Sequence, residues 1–175
     1  MKTLLKIASC LLIILTMTNC TSNKDCMKTI TIPQFYLVSG TAYTYNTTQE
    51  VSCDFPDPAT PSQIAPPKLE NFTYDVNSFT FTADTGNNTS RLQFEIVLNN
   101  PNNYAVEGFP YLTINSDGIL FSTNYSHDAT NACNKLEANS SCTLIYNKET
   151  SLNTNLGTPN LFELTSVDYI ITKKI

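Results

Sequence analysis

Alternation of apolar and polar residues is the feature that most constrains the fold of this chain. Between Leu92 and Leu98 every second residue is large and apolar, and the residues between them are mostly polar. Successive side chains of a β-strand point to opposite faces, so this run predicts a strand with one buried face. Shorter runs of the same period recur from residue 68 to residue 171. The best helical candidate is one or two turns within Asp128 to Ala138.

Turn signals separate these runs. Asn115-Ser-Asp-Gly118 lies between two apolar segments and is typical of a hairpin turn. About eight to ten short strands joined by such turns predict an all-β fold, an antiparallel immunoglobulin-like β-sandwich. The chain contains no tryptophan, so the usual Cys-Trp-Cys core of immunoglobulin domains is missing and the expected likeness is architectural.

Composition narrows the class of protein. Of 175 residues, 41% are hydrophobic and 14% are charged, a balance that disfavours intrinsic disorder. The net charge of −5 disfavours nucleic acid as a partner, because phosphates require clustered Lys and Arg. One folded domain of ordinary size is the expectation.

The first 19 residues are interpreted as an export signal. Lys2 and Lys6 provide a positive start, and residues 7–15 provide an apolar stretch shorter than a membrane-spanning helix. The run Leu15-Thr-Met-Thr-Asn-Cys20 resembles the lipobox of bacterial lipoproteins. That resemblance implies cleavage before Cys20 and attachment of acyl chains such as palmitate to it, which gives stable membrane anchoring. In such lipoproteins a non-acidic residue after the cysteine, here Thr21, implies the outer membrane of a Gram-negative cell envelope.

Two other contexts are compatible with this N-terminus. One is an ordinary secretory signal with Cys20 as a structural cysteine. The other is a eukaryotic secreted protein, in which Asn-x-Ser/Thr triplets would accept glycans. In a chain so rich in Asn and Thr, we interpret these triplets as compositional. They begin at Asn46, Asn71, Asn87, Asn88, Asn124 and Asn139.

The cysteine count supports the lipidated reading. Loss of Cys10 with the signal leaves an odd number, and acylation of Cys20 leaves four cysteines, enough for two disulfides in an oxidising compartment. Three pairings are possible, and we favour the sequential one because it has the simplest topology. It joins Cys26 to Cys53 and Cys133 to Cys142.

These features predict the organisation of the chain. Residues 1–19 form the signal peptide, residues 20–27 the anchor and tether, and residues 28–175 a single β-sandwich domain. Residues 54–67 hold five of the nine prolines and are expected to form an extended connector.

Aromatic residues offer the one predicted ligand surface. Nine Tyr and nine Phe are many for so few charges, and aromatic rings can stack on sugars. The same residues are also typical of a β-sheet core. The possible platform for a glycan or protein partner consists of Tyr43, Tyr45, Tyr104, Phe109 and Tyr111.

Catalytic and metal chemistry are not indicated. His127 is the single histidine and lies in a polar stretch typical of an exposed loop. Residues 84–88 and 115–118 resemble fragments of calcium loops, but turn chemistry explains both. We therefore expect no catalytic residue, metal or cofactor. A glycosidase needs only two carboxylates, and Glu95 and Glu107 are candidates that no spacing orders into a pair.

Three further segments resemble small bacterial surface lipoproteins that have no assigned activity, so no functional residue carries over. These segments are Cys-Met-Lys-Thr-Ile-Thr-Ile-Pro-Gln, Pro-Pro-Lys-Leu-Glu-Asn-Phe-Thr-Tyr and Leu-Asn-Asn-Pro-Asn-Asn-Tyr-Ala-Val. The expected function is a lipid-anchored, non-enzymatic binding or structural module. The alternative is a small envelope hydrolase acting on polysaccharide.

Overall fold

The computed structural model describes residues 26–152 and 158–175, so the predicted export signal and Cys20 lie outside the described residues. Within those residues the chain forms twelve strands and one short 3₁₀ turn. The strands are β1 (Met27–Ile32), β2 (Gln34–Val38), β3 (Thr41–Thr44), β4 (Thr47–Ser52), β5 (Ser62–Gln63), β6 (Thr73–Thr82), β7 (Thr89–Asn100), β8 (Val106–Ser116), β9 (Ile119–Thr123), β10 (Lys135–Leu136), β11 (Ser140–Ser151) and β12 (Phe162–Lys174).

The predicted all-β fold is confirmed. The strand ladders are antiparallel apart from the two-residue pairing of β2 with β5. The immunoglobulin-like arrangement stays a prediction. Within the described ranges, no helix is both long enough and apolar enough to cross a membrane.

Two sheets enclose the main core of the larger compact unit, which comprises Pro33–Asn46 and Thr60–Ile175. One sheet has the order β11-β7-β6, and the other has β10-β8-β12 with β9 also paired to β8. The predicted alternation of β7 is confirmed, because Phe94, Ile96 and Leu98 are buried in the core. Residues from β8, β11 and β12 pack against them, so the two sheets form a sandwich.

Two β-bulges keep the apolar residues of the long strands on the core side. In β6 a register shift lies between Val76 and Ser78, so Tyr74 and Phe79 face the same way despite their odd spacing. In β12 a shift after Leu164 has the same effect. A bulge adds one residue to one strand, which reverses the phase of the alternation beyond it.

A third, smaller sheet of β3-β2-β5 covers part of the outer face of β8 and β12. Tyr36 and Val38 of β2 form a second core with Phe109 of β8 and Ile170 of β12. The Tyr36 hydroxyl also donates a hydrogen bond of 2.9 Å to the carbonyl oxygen of Ile171. The β8–β12 ladder is therefore buried on both faces in this part of the molecule.

The hairpin predicted at residues 115–118 is confirmed between β8 and β9. Asp117 and Gly118 have φ values of 49° and 88°, as a tight hairpin turn requires. The Asn115 side chain accepts a hydrogen bond of 2.9 Å from the Gly118 N–H. Local turn chemistry thus explains this segment.

The helical turns predicted within Asp128 to Ala138 are wrong. The 3₁₀ turn covers Ser126–Asp128, and β10 occupies Lys135–Leu136. Between them Asn131 pairs with Ile145 of β11, and this cross-strand pairing holds the chain in an extended form. Tertiary pairing here overrides the local preference.

Both predicted disulfides are confirmed. Cys133–Cys142 joins the segment leading into β10 to strand β11, and so links the two sheets of the sandwich. Cys26–Cys53 belongs to the smaller compact unit, where it closes the β1–β4 ladder at one end. In the same unit, the Lys28 ammonium group lies 3.0 Å from the Asp57 carboxylate.

We expect Gly108→Ala to destabilise the protein strongly, because β12 passes directly over this glycine. A Cβ atom there would lie 2.1 Å from the Ile170 carbonyl oxygen and 2.8 Å from the Tyr169 ring. Overpacking of this kind costs about 3 kcal/mol in the free energy of unfolding. Urea unfolding of the disulfide-intact protein measures this change in the free energy of unfolding.

The matched control is Gly40→Ala. Gly40 has a φ of +79° but open space around its Cα, so the cost is conformational only, about 1 kcal/mol. Equal destabilisation by the two substitutions would contradict the packing argument at Gly108.

Candidate functional site

The third sheet leaves part of the outer face of β8 and β12 uncovered, and this exposed part forms a groove of about 430 Å³. Such a volume falls in the range typical of small-molecule sites. We call it the Tyr111 groove. Its residues come from the end of β2, the connector before β6, and strands β8, β9 and β12. They are Leu37, Val38, Ser39, Ala65, Pro66, Lys68, Tyr111, Thr113, Ser122, Asp168 and Ile170.

Strand register places the polar groups of this groove side by side. Tyr111 of β8 lies opposite Asp168 of β12, and Thr113 of β8 lies opposite Ser122 of β9. Their neighbours Leu112 and Val167 point into the core, so these side chains face outward.

Hydrogen bonds orient the hydroxyl groups of the groove. The Ser39 and Tyr111 hydroxyl oxygens are 3.1 Å apart, and those of Thr113 and Ser122 are 2.9 Å apart. A hydroxyl has one donor and two acceptor sites, so each pair keeps capacity for a ligand. The groove therefore presents several positioned hydroxyl groups beside a partly exposed tyrosine ring.

An ion pair lies at one side of the groove. The Lys68 ammonium group donates to the Asp168 carboxylate at 2.8 Å, and the two side chains are 61% and 34% exposed. Exposed pairs contribute little stability. The contact's main effect is to fix the positions of one donor and one acceptor group that a polar ligand can reach.

The predicted aromatic platform is divided by the structure. Tyr43 stacks on Tyr36 with ring centroids 5.3 Å apart, and it lies 5.2 Å from Phe109. Phe109 is 5% exposed and therefore offers no surface to a ligand. Tyr45 is half-buried between the two cores. These three residues serve packing around β2 and β3.

Tyr104 and Tyr111 are the remaining members of that platform. Tyr104 packs against the main core, and the Lys174 ammonium group lies 3.5 Å above its ring centroid. Tyr111 lines the groove, so one of the five predicted residues belongs to it. Cys20, the predicted lipidation site, lies outside the described residues.

The carboxylates considered for hydrolysis do not converge. Glu95 points outward from β7 and accepts a hydrogen bond of 2.9 Å from Asn77. Glu107 lies on β8 opposite Lys135 and Lys173. The two sheets face each other through their inner sides, so these carboxylates lie on opposite outer faces of the sandwich.

In the described part of the chain, neither the single histidine nor a cluster of metal-binding residues forms a candidate site. His127 is 93% exposed in the 3₁₀ turn, beside Asp128. The Lys148 ammonium group, and after it His127, lower the pKa of Asp128 by hydrogen bonding. No group of three or more His, Cys, Asp or Glu residues suited to a metal ion occurs in residues 26–152 and 158–175.

Sequence reasoning missed Ser39, Lys68, Thr113, Ser122 and Asp168. Thr113 and Asp168 are the outward polar positions of alternating strands, and this pattern was readable. Their proximity depends on strand register, which the pattern does not contain.

Neither a protein-family model, nor a curated protein, nor a solved structure matches this chain.

We expect the protein to lose stability as the pH rises from about 10 to 12. Burial first, and then the neighbouring Tyr43 and Tyr45, raise the pKa of Tyr36 from 10.0 to about 12. Unfolded chains release this proton near pH 10 while the folded protein retains it, so alkali favours unfolding. Tyr36 alone accounts for about 2–3 kcal/mol by this linkage.

Urea unfolding at pH 8, 10 and 11 tests this prediction with Tyr36→Phe as the variant. The variant is expected to be less stable at pH 8, because it lacks the hydrogen bond to Ile171, but to have a shallower decline with pH. Some decline remains, because burial also raises the pKa of Tyr125 to about 12. An unchanged slope in the variant would contradict the assignment to Tyr36.

Proposed function

We propose that this chain is a lipid-anchored envelope protein that acts as a non-enzymatic binding module, and that it holds a glycan in the Tyr111 groove. The observation that carries the proposal is the set of oriented hydroxyl groups beside the Tyr111 ring and the Lys68–Asp168 pair. Sugars combine hydroxyl groups with apolar ring faces, and this groove offers partners for both.

The groove is also suited to a ligand because it is formed in advance. Ser39, Thr113 and Ser122 are held by hydrogen bonds within the protein, and Thr113 lies on β8, which the long ladder with β12 fixes. Preorganised groups lose little conformational entropy when a ligand binds. Loop position supports the same reading, because Ser39 lies in the turn between β2 and β3.

Binding is favoured over hydrolysis by the charges in the groove. Glycoside hydrolysis uses two carboxyl groups on either side of the scissile bond. Among the described residues that line this groove, Asp168 is the single carboxylate, and Lys68 occupies one of its oxygens. This arrangement favours a site that binds a glycan over a catalytic acid–base pair that cleaves one.

Two features support the location. Both disulfides are typical of an oxidising compartment, as an exported protein encounters. The lipobox resemblance at residues 15–20 ends six residues before Cys26, which opens the described part of the chain. Together they favour an export route that ends in acylation of Cys20.

Acylation is tested by the intact mass of the protein taken from the membrane fraction of an expressing bacterium. We expect the chain to begin at Cys20 and to carry acyl mass on it. Cys20→Ala should abolish both the added mass and the membrane association. Cys10→Ala is the matched control, since residue 10 is expected to leave with the signal. A membrane form without acyl mass would contradict the proposal.

Glycan binding is tested on a glycan array with the full chain in detergent. Tyr111→Ala is expected to weaken binding about tenfold, the effect of losing one aromatic contact. Tyr104→Ala is the matched control, because its ring contacts Lys174 and lies outside the groove. Equal effects of the two substitutions would contradict the site. Turnover of any bound polysaccharide would contradict the non-enzymatic class.

A further inference from the structure

A second recess of about 390 Å³ adjoins the Tyr111 groove at the edge of β12. We call it the Phe72 recess, and its walls come from β6 with the segment before it and from β12. Its lining includes Lys68, Phe72, Tyr74 and Asp168. Lys68 and Asp168 also line the Tyr111 groove, so the two cavities share one boundary.

Backbone pairing creates that boundary. The Leu69 N–H donates to the Tyr169 carbonyl at 2.9 Å, and the Ile171 N–H donates to the Pro67 carbonyl at 2.8 Å. Residues 67–69 therefore lie along the edge of β12, with Lys68 opposite Ile170. From this edge the Lys68 side chain reaches Asp168 on the outer face, and the chain then continues into β6.

Each cavity has an aromatic wall. In the Phe72 recess the rings of Phe72 and Tyr74 stack with centroids 6.4 Å apart, and both are half-buried. In the Tyr111 groove the half-buried ring is Tyr111. Rings on both sides of one ion pair suit a ligand made of repeated units, each with an apolar face and polar edges.

The charge of the site favours a neutral ligand. Lys68 is the single cation among the described residues that line the two cavities, and Asp168 neutralises it. The whole chain carries a net charge of −5, which repels polyanions. Uronic acids and phosphorylated sugars would find no free positive partner here.

We infer that the ligand is a linear neutral oligosaccharide longer than a disaccharide that spans both cavities, with one sugar ring against Tyr111, a later ring against Phe72 and Tyr74, and the stretch of ligand between them over the Lys68–Asp168 pair. This inference rests on the proposed glycan-binding function and adds to it a second subsite and a minimum ligand length.

The test is isothermal titration of the full chain in detergent with cello-oligosaccharides and N-acetylated chito-oligosaccharides, from disaccharide to hexasaccharide. We expect affinity to rise about tenfold with length up to the size that fills both cavities, and then to level off. Tyr74→Ala is expected to remove this gain with length. Tyr111→Ala is expected to weaken binding at every length.

A second variant protects the test against loss of folding. Phe72→Leu removes the aromatic ring from the recess but keeps an apolar side chain against the core. We expect it to abolish the gain with length as Tyr74→Ala does. Thermal unfolding of each variant serves as the folding control.

The outcomes separate the two proposals. If Tyr111→Ala weakens binding but both recess variants keep the gain with length, the second subsite is wrong and the proposed function stands. If neither series binds while the array shows glycan binding that Tyr111→Ala weakens, the inferred ligand class is wrong and the proposed function stands. If Tyr111→Ala has no effect on binding, the proposed function is wrong as well. Tight binding of oligogalacturonates, equal to that of the neutral series, would overturn the neutral assignment.

Discussion

The long ladder between β8 and β12 is the structural element on which the larger unit depends, because it is covered on both faces. Its inner face packs against β7 and β11 in the main core, and its outer face supports Tyr36 and Val38 of β2. A strand covered on both sides must be apolar in both phases, and Ile170 and Ile171 are buried in consecutive positions. The two cores therefore share this single pair of strands.

The groove exists because the third sheet is smaller than the face it covers. Strands β2 and β3 have five and four residues, whereas β8 and β12 have eleven and thirteen. Beyond the end of β2 the outer face of the ladder is open to solvent. It can therefore carry polar side chains, and Tyr111, Thr113 and Asp168 lie there. The change from a covered to an open face along the same strands thus positions the candidate site.

Much of the fold was predictable from local pattern, and the site was not. Burial of one strand face leaves an apolar alternation such as Leu92 to Leu98, and the hairpin turn needs its own residue types, so the sequence predicts both features and the structure confirms them. The bulges appear in the sequence only as changes in the phase of the apolar alternation, for example between Leu164 and Val167, and this signal alone does not identify a bulge. Contacts such as Lys68 with Asp168 join residues 100 positions apart, and no local pattern encodes them. The wrong helical prediction before β10 has the same origin, a pairing with distant β11.

The Cys26–Cys53 disulfide has a mechanical consequence for a protein held at its amino end. Tension applied there enters the described chain at Cys26 and can pass through the sulfur atoms directly to Cys53. The intervening segment, which contains all of β1 to β4, then carries no load. If the chain is anchored at Cys20 as proposed, tension on that anchor would therefore bypass β2, which contributes one wall of the groove.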